Sequence, residues 1–136
     1  MYFVEIRVRF RYAHRLFHNY VGKCSHLHGE SGTAIIIVEG EELLPSGMLI
    51  DFKDLKVLVE EWINQNLDHT TILSCNDPLV KILKSFGVQV YTTDGNPTAE
   101  NIAKEIFDHL GTVVGLVKVG VIESFEDSIA WYERRD

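Results

Sequence analysis

Tyr2-Phe3-Val4-Glu5-Ile6-Arg7-Val8-Arg9-Phe10-Arg11-Tyr12 alternates in side-chain character with a period of two. The even positions are apolar and most odd positions are charged. Strand side chains point to opposite faces in turn, so this stretch predicts a half-buried strand with one clear inward face. If the parity continues, His14 lies on that inward face. Residues 15–24 are polar and read as a loop. Residues 26–39 read as a second strand, ending in Ala-Ile-Ile-Ile-Val-Glu. The aliphatic residues there fall on both parities, which places that end centrally in a sheet. A turn follows at Pro45-Ser46-Gly47, then a short apolar piece to Phe52.

Further along, the period changes. Leu55, Leu58, Val59, Trp62, Ile63 and Leu67 form one stripe at helical spacing over 53–67. A loop with Asn76, Asp77 and Pro78 precedes a second helical piece at 78–86. Residues 88–92 alternate again. Asn96 and Pro97 suit the N-cap and first position of another helix. Ala99, Ile102, Ala103, Ile106, Phe107 and Leu110 are its stripe, closed by Gly111. Val117, Val119, Val121, Glu123 and Phe125 share one face of a further strand, and 128–134 suits a last short one. There is no linker, repeat or low-complexity tract. The pattern predicts one α+β domain over residues 1–136, with helices on one face of an antiparallel sheet.

Composition narrows the function. The chain has 136 residues and a formal net charge of −7. That balance argues against nucleic-acid phosphates as the main partner. It leaves room for a small phosphorylated substrate, which needs only a local cluster of donors. Two cysteines, Cys24 and Cys75, make no secreted disulfide framework, so a reducing, cytoplasmic location is expected. The N-terminus alternates from the start, unlike a secretory leader. The longest aliphatic run, Ala34 to Val38, is too short to span a bilayer.

The chemistry concentrates in Cys24-Ser25-His26-Leu27-His28-Gly29-Glu30. In an extended segment His26, His28 and Glu30 share one face. Antiparallel pairing of the first two strands would bring His14 to the same place. Imidazole is a common zinc ligand and carboxylate an acceptable third, and three protein ligands with one open position is the catalytic zinc pattern. The bland alternative is a set of solvated loop side chains; spacing favours metal. His26 competes with Glu30 for the third place, and spacing does not decide between them. Cys24 beside a metal or imidazole would gain thiolate character, although a free cysteine is more often an inert buried thiol. Asp68-His69 suits proton transfer if the carboxylate fixes the ring tautomer; otherwise His69 simply faces a helix C-terminus. Glu123 interrupts an apolar face, so it needs a partner there unless the strand frays. A cation, a ring of donors or a guanidine-like ligand edge would serve.

These pieces, in order, resemble the 6-pyruvoyltetrahydropterin synthase and 6-carboxytetrahydropterin synthase family almost end to end. Phe10-Arg11-Tyr12-Ala13-His14 resembles the family's first metal segment. Cys24 to Glu30 resembles its Cys-x3-His-Gly-His segment. Gly47-Met48-Leu49-Ile50-Asp51-Phe52, Leu67-Asp68-His69 and Asn96-Pro97-Thr98-Ala99-Glu100-Asn101 match further motifs. Glu123, followed by Ala130 and Tyr132, resembles the pterin-anchoring segment, one residue longer here.

The resemblance implies a tunnelling fold, in which oligomerisation joins sheets into a barrel with active sites at the interfaces. A homo-oligomer is expected, a hexamer built from two trimers. The implied activity is a zinc-dependent lyase on 7,8-dihydroneopterin triphosphate, of the 6-carboxytetrahydropterin synthase type in the queuosine precursor pathway. Within the family the alternatives are the 6-pyruvoyl product and a folate-branch dihydropterin product. Cys24 weighs against the latter, whose enzymes carry glutamate there. By the same resemblance His14 and His28 bind zinc, Cys24 is a base, Asp68 and His69 form a proton relay often supplied by a neighbouring subunit, and Glu123 holds the pterin edge. Glu30 stands where the family has a third histidine, and its charge should make zinc a weaker Lewis acid. From other classes, a non-catalytic pterin-binding module would keep Glu123 without metal, and a structural interaction domain would keep neither role.

Overall fold

The computed structural model describes residues 1–124 and 127–135. Strand β1 (Tyr2–His14) and strand β2 (His28–Gly40) pair antiparallel along their whole length, from Tyr2 opposite Gly40 to His14 opposite His28. Between them a loop carries one 3-10 turn at Lys23–Ser25. Helix α1 (Phe52–Asn66), β3 (Thr70–Ser74), α2 (Leu79–Ser85), β4 (Val90–Thr93), α3 (Ala99–His109), β5 (Leu116–Glu123) and β6 (Ile129–Tyr132) follow. They make a six-stranded sheet in the order β4-β3-β1-β2-β5-β6. Its four long-range antiparallel strands are β1, β2, β5 and β6, while β3 and β4 add parallel pairing at one edge. Among the described residues, no helix is long and apolar enough to cross a membrane.

The alternation in β1 decides which face is packed. Ile6, Val8, Phe10, Tyr12 and His14 are buried, and most residues between them are exposed. Opposite them, Ala34, Ile36 and Val38 of β2 and Val119 and Val121 of β5 point the same way. Leu55, Val59 and Ile63 of α1 and Ile102, Ala103 and Ile106 of α3 close over that face, each 1% exposed or less. Fully burying one such aliphatic side chain is worth about 1.5–3 kcal/mol. Asp51 caps α1 by accepting from the Lys53 amide at 2.8 Å. A bulge between Ile37 and Val38 sets Val38 opposite Leu116, so Leu116 rather than Val117 meets the core at that end. Phe125, expected on the same face, lies outside the described residues.

Two local readings differ from the sequence-based expectation. Thr70–Ser74 is a strand, not part of a loop. It is only five residues long, buried on nearly every position and paired in parallel on both sides, so no alternation marks it. Helix α3 begins at Ala99 with Thr98 as its cap, accepting from the Asn101 amide. Asn96, expected as the cap, instead joins the preceding turn to the β1–β2 loop. Its Oδ1 accepts from the His18 amide at 3.0 Å, and its Nδ2 donates to the His18 carbonyl at 2.7 Å.

Candidate functional site

His14 is the last residue of β1, where the strand is bonded on both sides. It faces His28 of β2 on one side and Ile72 of β3 on the other. It is 3% exposed. Its Nδ1 lies 2.7 Å from the Pro97 carbonyl oxygen. A carbonyl can only accept, so Nδ1 carries the proton and Nε2 carries the lone pair in the neutral ring. His28 repeats the arrangement, with Nδ1 2.6 Å from the His26 carbonyl oxygen. The two rings stand 4.6 Å apart between centroids. Glu30, two residues further along the same face, puts Oε1 3.5 Å from His28 Nε2. One donor atom from each of His14, His28 and Glu30 lies within 4.8 Å of the others.

This donor set suits a divalent metal. Both imidazoles are held by backbone carbonyls in the tautomer that presents Nε2, an outer-shell arrangement typical of histidine ligands. Two imidazoles and a carboxylate would supply the three protein ligands that a catalytic zinc uses. His26 is exposed, and its carbonyl rather than its ring takes part. Among the described residues no cluster of three donors includes it.

Next to this cluster lies a carboxylate pair tied by hydroxyl donors. Glu30 Oε2 accepts from Ser124 Oγ. Ser124 has a left-handed backbone (φ 51) that turns it back towards β2, and its amide donates to the Ser31 carbonyl at 2.9 Å. Glu123 Oε1 accepts from the Tyr12 hydroxyl at 2.7 Å. Glu123 therefore meets a donor on the packed face, as its place among valines requires. Burial first, and then the Glu123 carboxylate, push the Tyr12 phenol far above its ordinary pKa. It stays a hydrogen-bond donor throughout the folded pH range.

Cys24 sits in the 3-10 turn, half-buried and free. Its carbonyl accepts from the Leu16 amide at 2.8 Å, which fastens the turn to the end of β1. Asp68 and His69 lie just past α1, and the His69 amide donates to the Arg11 carbonyl at 2.6 Å. His69 has a left-handed backbone (φ 57), and its Nδ1 is 2.8 Å from Asp68 Oδ2. Asp68 Oδ1 accepts from the Arg11 amide at 2.9 Å. Burial raises the Asp68 pKa, but the Arg11 amide and His69 outweigh it and hold the carboxyl below its ordinary value. The His69 side chain is 78% exposed. None of its contacts among the described residues reaches the histidine cluster.

Sequence reasoning missed Tyr12, Ser124, the Pro97 carbonyl and the loop anchors. Arg15 grips the buried Asp77 through two bonds of 2.7 and 2.5 Å, and His18 Nε2 lies 3.1 Å from Ser74 Oγ. Only one signal pointed to any of them. Gly32 is a glycine inside a predicted strand, a mark of close backbone or side-chain approach.

The fold and the triad together define an α+β protein with two histidines and one carboxylate at a sheet end, placed so that they could hold a metal. The profile of the family described as "PTPS: 6-pyruvoyl tetrahydropterin synthase" matches residues 3–135, and the chain belongs to this family. It is 36% identical over 110 residues to 6-carboxy-5,6,7,8-tetrahydropterin synthase of Rickettsia bellii, covering 76% of this chain and 79% of the relative. It is 32% identical over 143 aligned positions to human 6-pyruvoyl tetrahydrobiopterin synthase, covering 94% of this chain and 89% of that protein. Caenorhabditis elegans 6-pyruvoyl tetrahydropterin synthase superposes with a TM-score of 0.71 at 26% identity, over 98% of this chain and 96% of that one.

Proposed function

We propose that this chain is a zinc-dependent lyase acting on 7,8-dihydroneopterin triphosphate, of the 6-carboxy-5,6,7,8-tetrahydropterin synthase type, with residues 1–136 working as one domain. The observation that carries the reading is the triad of His14, His28 and Glu30, in which backbone carbonyls leave both Nε2 atoms available. When bound there, zinc supplies Lewis acidity towards the substrate's side-chain oxygens. Glu123 accepts N–H bonds from the amino-pyrimidine edge and sets the orientation. Cys24 takes a proton from the side-chain carbon. His69, with its Nδ1 proton held by Asp68, has Nε2 available to move a proton on the other side. Triphosphate leaves by elimination; for the carboxy product water then adds, the bond between the first and second side-chain carbons breaks, the two outer carbons leave as acetaldehyde, and the dihydropterin ring takes up the electron pair that the first carbon loses in becoming a carboxylate.

The 78% exposure of the His69 side chain, whose contact is Asp68 rather than the triad, supports an assembly in which one subunit's pair serves a neighbour's site. We infer a homo-oligomer, a hexamer of two trimers. Two free cysteines support a reducing, cytoplasmic setting. A 6-pyruvoyl product is the second reading, favoured by the match to the human relative across 94% of the chain.

The deciding experiment incubates zinc-loaded protein with 7,8-dihydroneopterin triphosphate and identifies the product by mass. A carboxytetrahydropterin is expected, and a pyruvoyl product would select the second reading. Zinc-loaded protein that releases no triphosphate would remove the lyase reading.

A further inference from the structure

We propose that Tyr12 is a positioning residue for the Glu123 carboxylate, and through it a specificity determinant for the amino-pyrimidine edge of the ligand. This rests on the reading of Glu123 as the pterin anchor.

Tyr12 and Glu123 belong to strands that are not neighbours; β2 runs between them. Gly32 of β2 is opposite Phe10 on one side and Glu123 on the other. The path from the Tyr12 ring to Glu123 therefore crosses Gly32. A Cβ there would lie 2.9 Å from Tyr12 Cε1 and 2.9 Å from Phe10 Cζ. Only the missing side chain lets the phenol reach across the strand. The ring is fixed before it donates. It stacks on Phe10 with centroids 5.1 Å apart and meets His14 edge-on at 5.2 Å. It is 4% exposed.

A clamped donor on Oε1 limits how the carboxylate can rotate. It leaves Oε2 and one lone pair of Oε1 for two ligand N–H groups, the pattern a pterin edge presents. The next residue, Ser124, is anchored too, through its hydroxyl to Glu30. The end of β5 is thus held on both sides of the site.

The test is calorimetry on zinc-loaded protein with two ligands, pterin and lumazine, which carries oxygen in place of the 2-amino group. Tyr12→Phe keeps the ring packing and removes only the donor. Its pterin affinity should fall about tenfold, equivalent to ~1.4 kcal/mol, with lumazine affinity unchanged, so discrimination narrows. Zinc content and thermal midpoint should stay at the wild-type values. Gly32→Ala keeps the phenol but fills its path, and should lose pterin affinity in the same direction. A Tyr12→Phe protein with the wild-type pterin-to-lumazine ratio overturns the proposal, as does an equal loss for both ligands. Glu123→Gln in the same series separates the two readings. If it loses pterin while Tyr12→Phe keeps the wild-type ratio, only the Tyr12 inference fails. If it keeps pterin, the anchor assignment fails, and the Tyr12 inference with it.

Discussion

Replacing His14 by alanine should strip the metal, and the size of the effect follows from the site's construction. Outer-shell partners of metal ligands cost about 10–100-fold in metal affinity when removed. In the proposed site His14 is itself one of three ligands, so a loss of at least 100-fold is expected. Metal that binds only the folded state stabilises it by RT ln(1 + [L]/Kd), about 4.1 kcal/mol at 1,000 times Kd. A 100-fold weaker site under the same zinc retains roughly 1.4 kcal/mol by the same relation. For a chain of this length each kcal/mol moves the midpoint by about 3–5 °C. The zinc-induced shift should therefore drop from about 12–20 °C to about 4–7 °C. Thermal melts with and without zinc, beside elemental analysis of the same preparations, read this directly. Comparing shifts rather than midpoints cancels the cost of the cavity His14→Ala leaves in a site that is 3% exposed. Glu30→Ala should behave like His14→Ala. His26→Ala should keep the full shift, because the backbone carbonyl of residue 26 survives the change. A His26→Ala protein without the shift, next to a Glu30→Ala protein that retains it, would refute the assignment of the third ligand.

Cys24→Ala and His69→Ala should each lower turnover by about 10²–10⁴-fold, the usual worth of a proton-transfer group, with little change in melting. Steady-state rates that survive both substitutions would place the chemistry elsewhere. Asp77→Ala should cost about 3 kcal/mol, the lower end for breaking a buried pair, because Arg15 keeps 26% of its side chain in solvent. The Arg15 fork holds the Asp77 carboxyl below its ordinary value. Its contribution is therefore complete above the unfolded pKa of about 3.9 and disappears as pH falls through the lower folded value. Urea unfolding should show the gap between wild type and Asp77→Asn closing in that acid range, and a gap constant down to pH 2 would count against the pairing. Light scattering at micromolar concentration should show an oligomer; a monomer there would leave the exposed His69 without a neighbour's site to serve.

Much of the frame was legible because periodicity reports burial. The alternation from Tyr2 to Tyr12 put Ile6, Val8, Phe10, Tyr12 and His14 on the packed face, and the stripe from Leu55 to Leu67 placed α1 over it. The β3 strand was not legible, since five residues buried almost throughout carry no alternation. The α3 cap was misplaced for a different reason. Asn96-Pro97 is a favourable helix start locally, but tertiary bonds to His18 claim the Asn96 side chain and Thr98 takes over. The proximity of His14 and His28 followed from strand pairing alone. What holds them in a ligating tautomer did not, because the Pro97 carbonyl comes from 83 residues away and a backbone atom leaves no trace in residue type. Tyr12 escaped notice because a buried aromatic on an apolar face reads as core, and only its reach across Gly32 reveals a polar task.

Glu30, where the family has histidine, changes more than the charge of the candidate donor set. It places a second carboxylate on the face that already carries Glu123, with Tyr12 next to both: Tyr12 is the cross-strand partner of Glu30 and the donor to Glu123. Two anions so placed repel unless each is neutralised or hydrogen-bonded. The chain meets that demand with two hydroxyls from opposite directions, Ser124 on Glu30 and Tyr12 on Glu123. Ser124 gets there by a left-handed turn and Tyr12 by a glycine in the intervening strand. Each leaves its carboxylate one oxygen without a hydroxyl donor, and in Glu30 that oxygen, Oε1, lies 3.5 Å from His28 Nε2. Glu30, Gly32, Tyr12 and Ser124 thus act as one unit. Histidine restored at position 30 would remove the anion that Ser124 answers, while the phenol on Glu123 would still depend on Gly32.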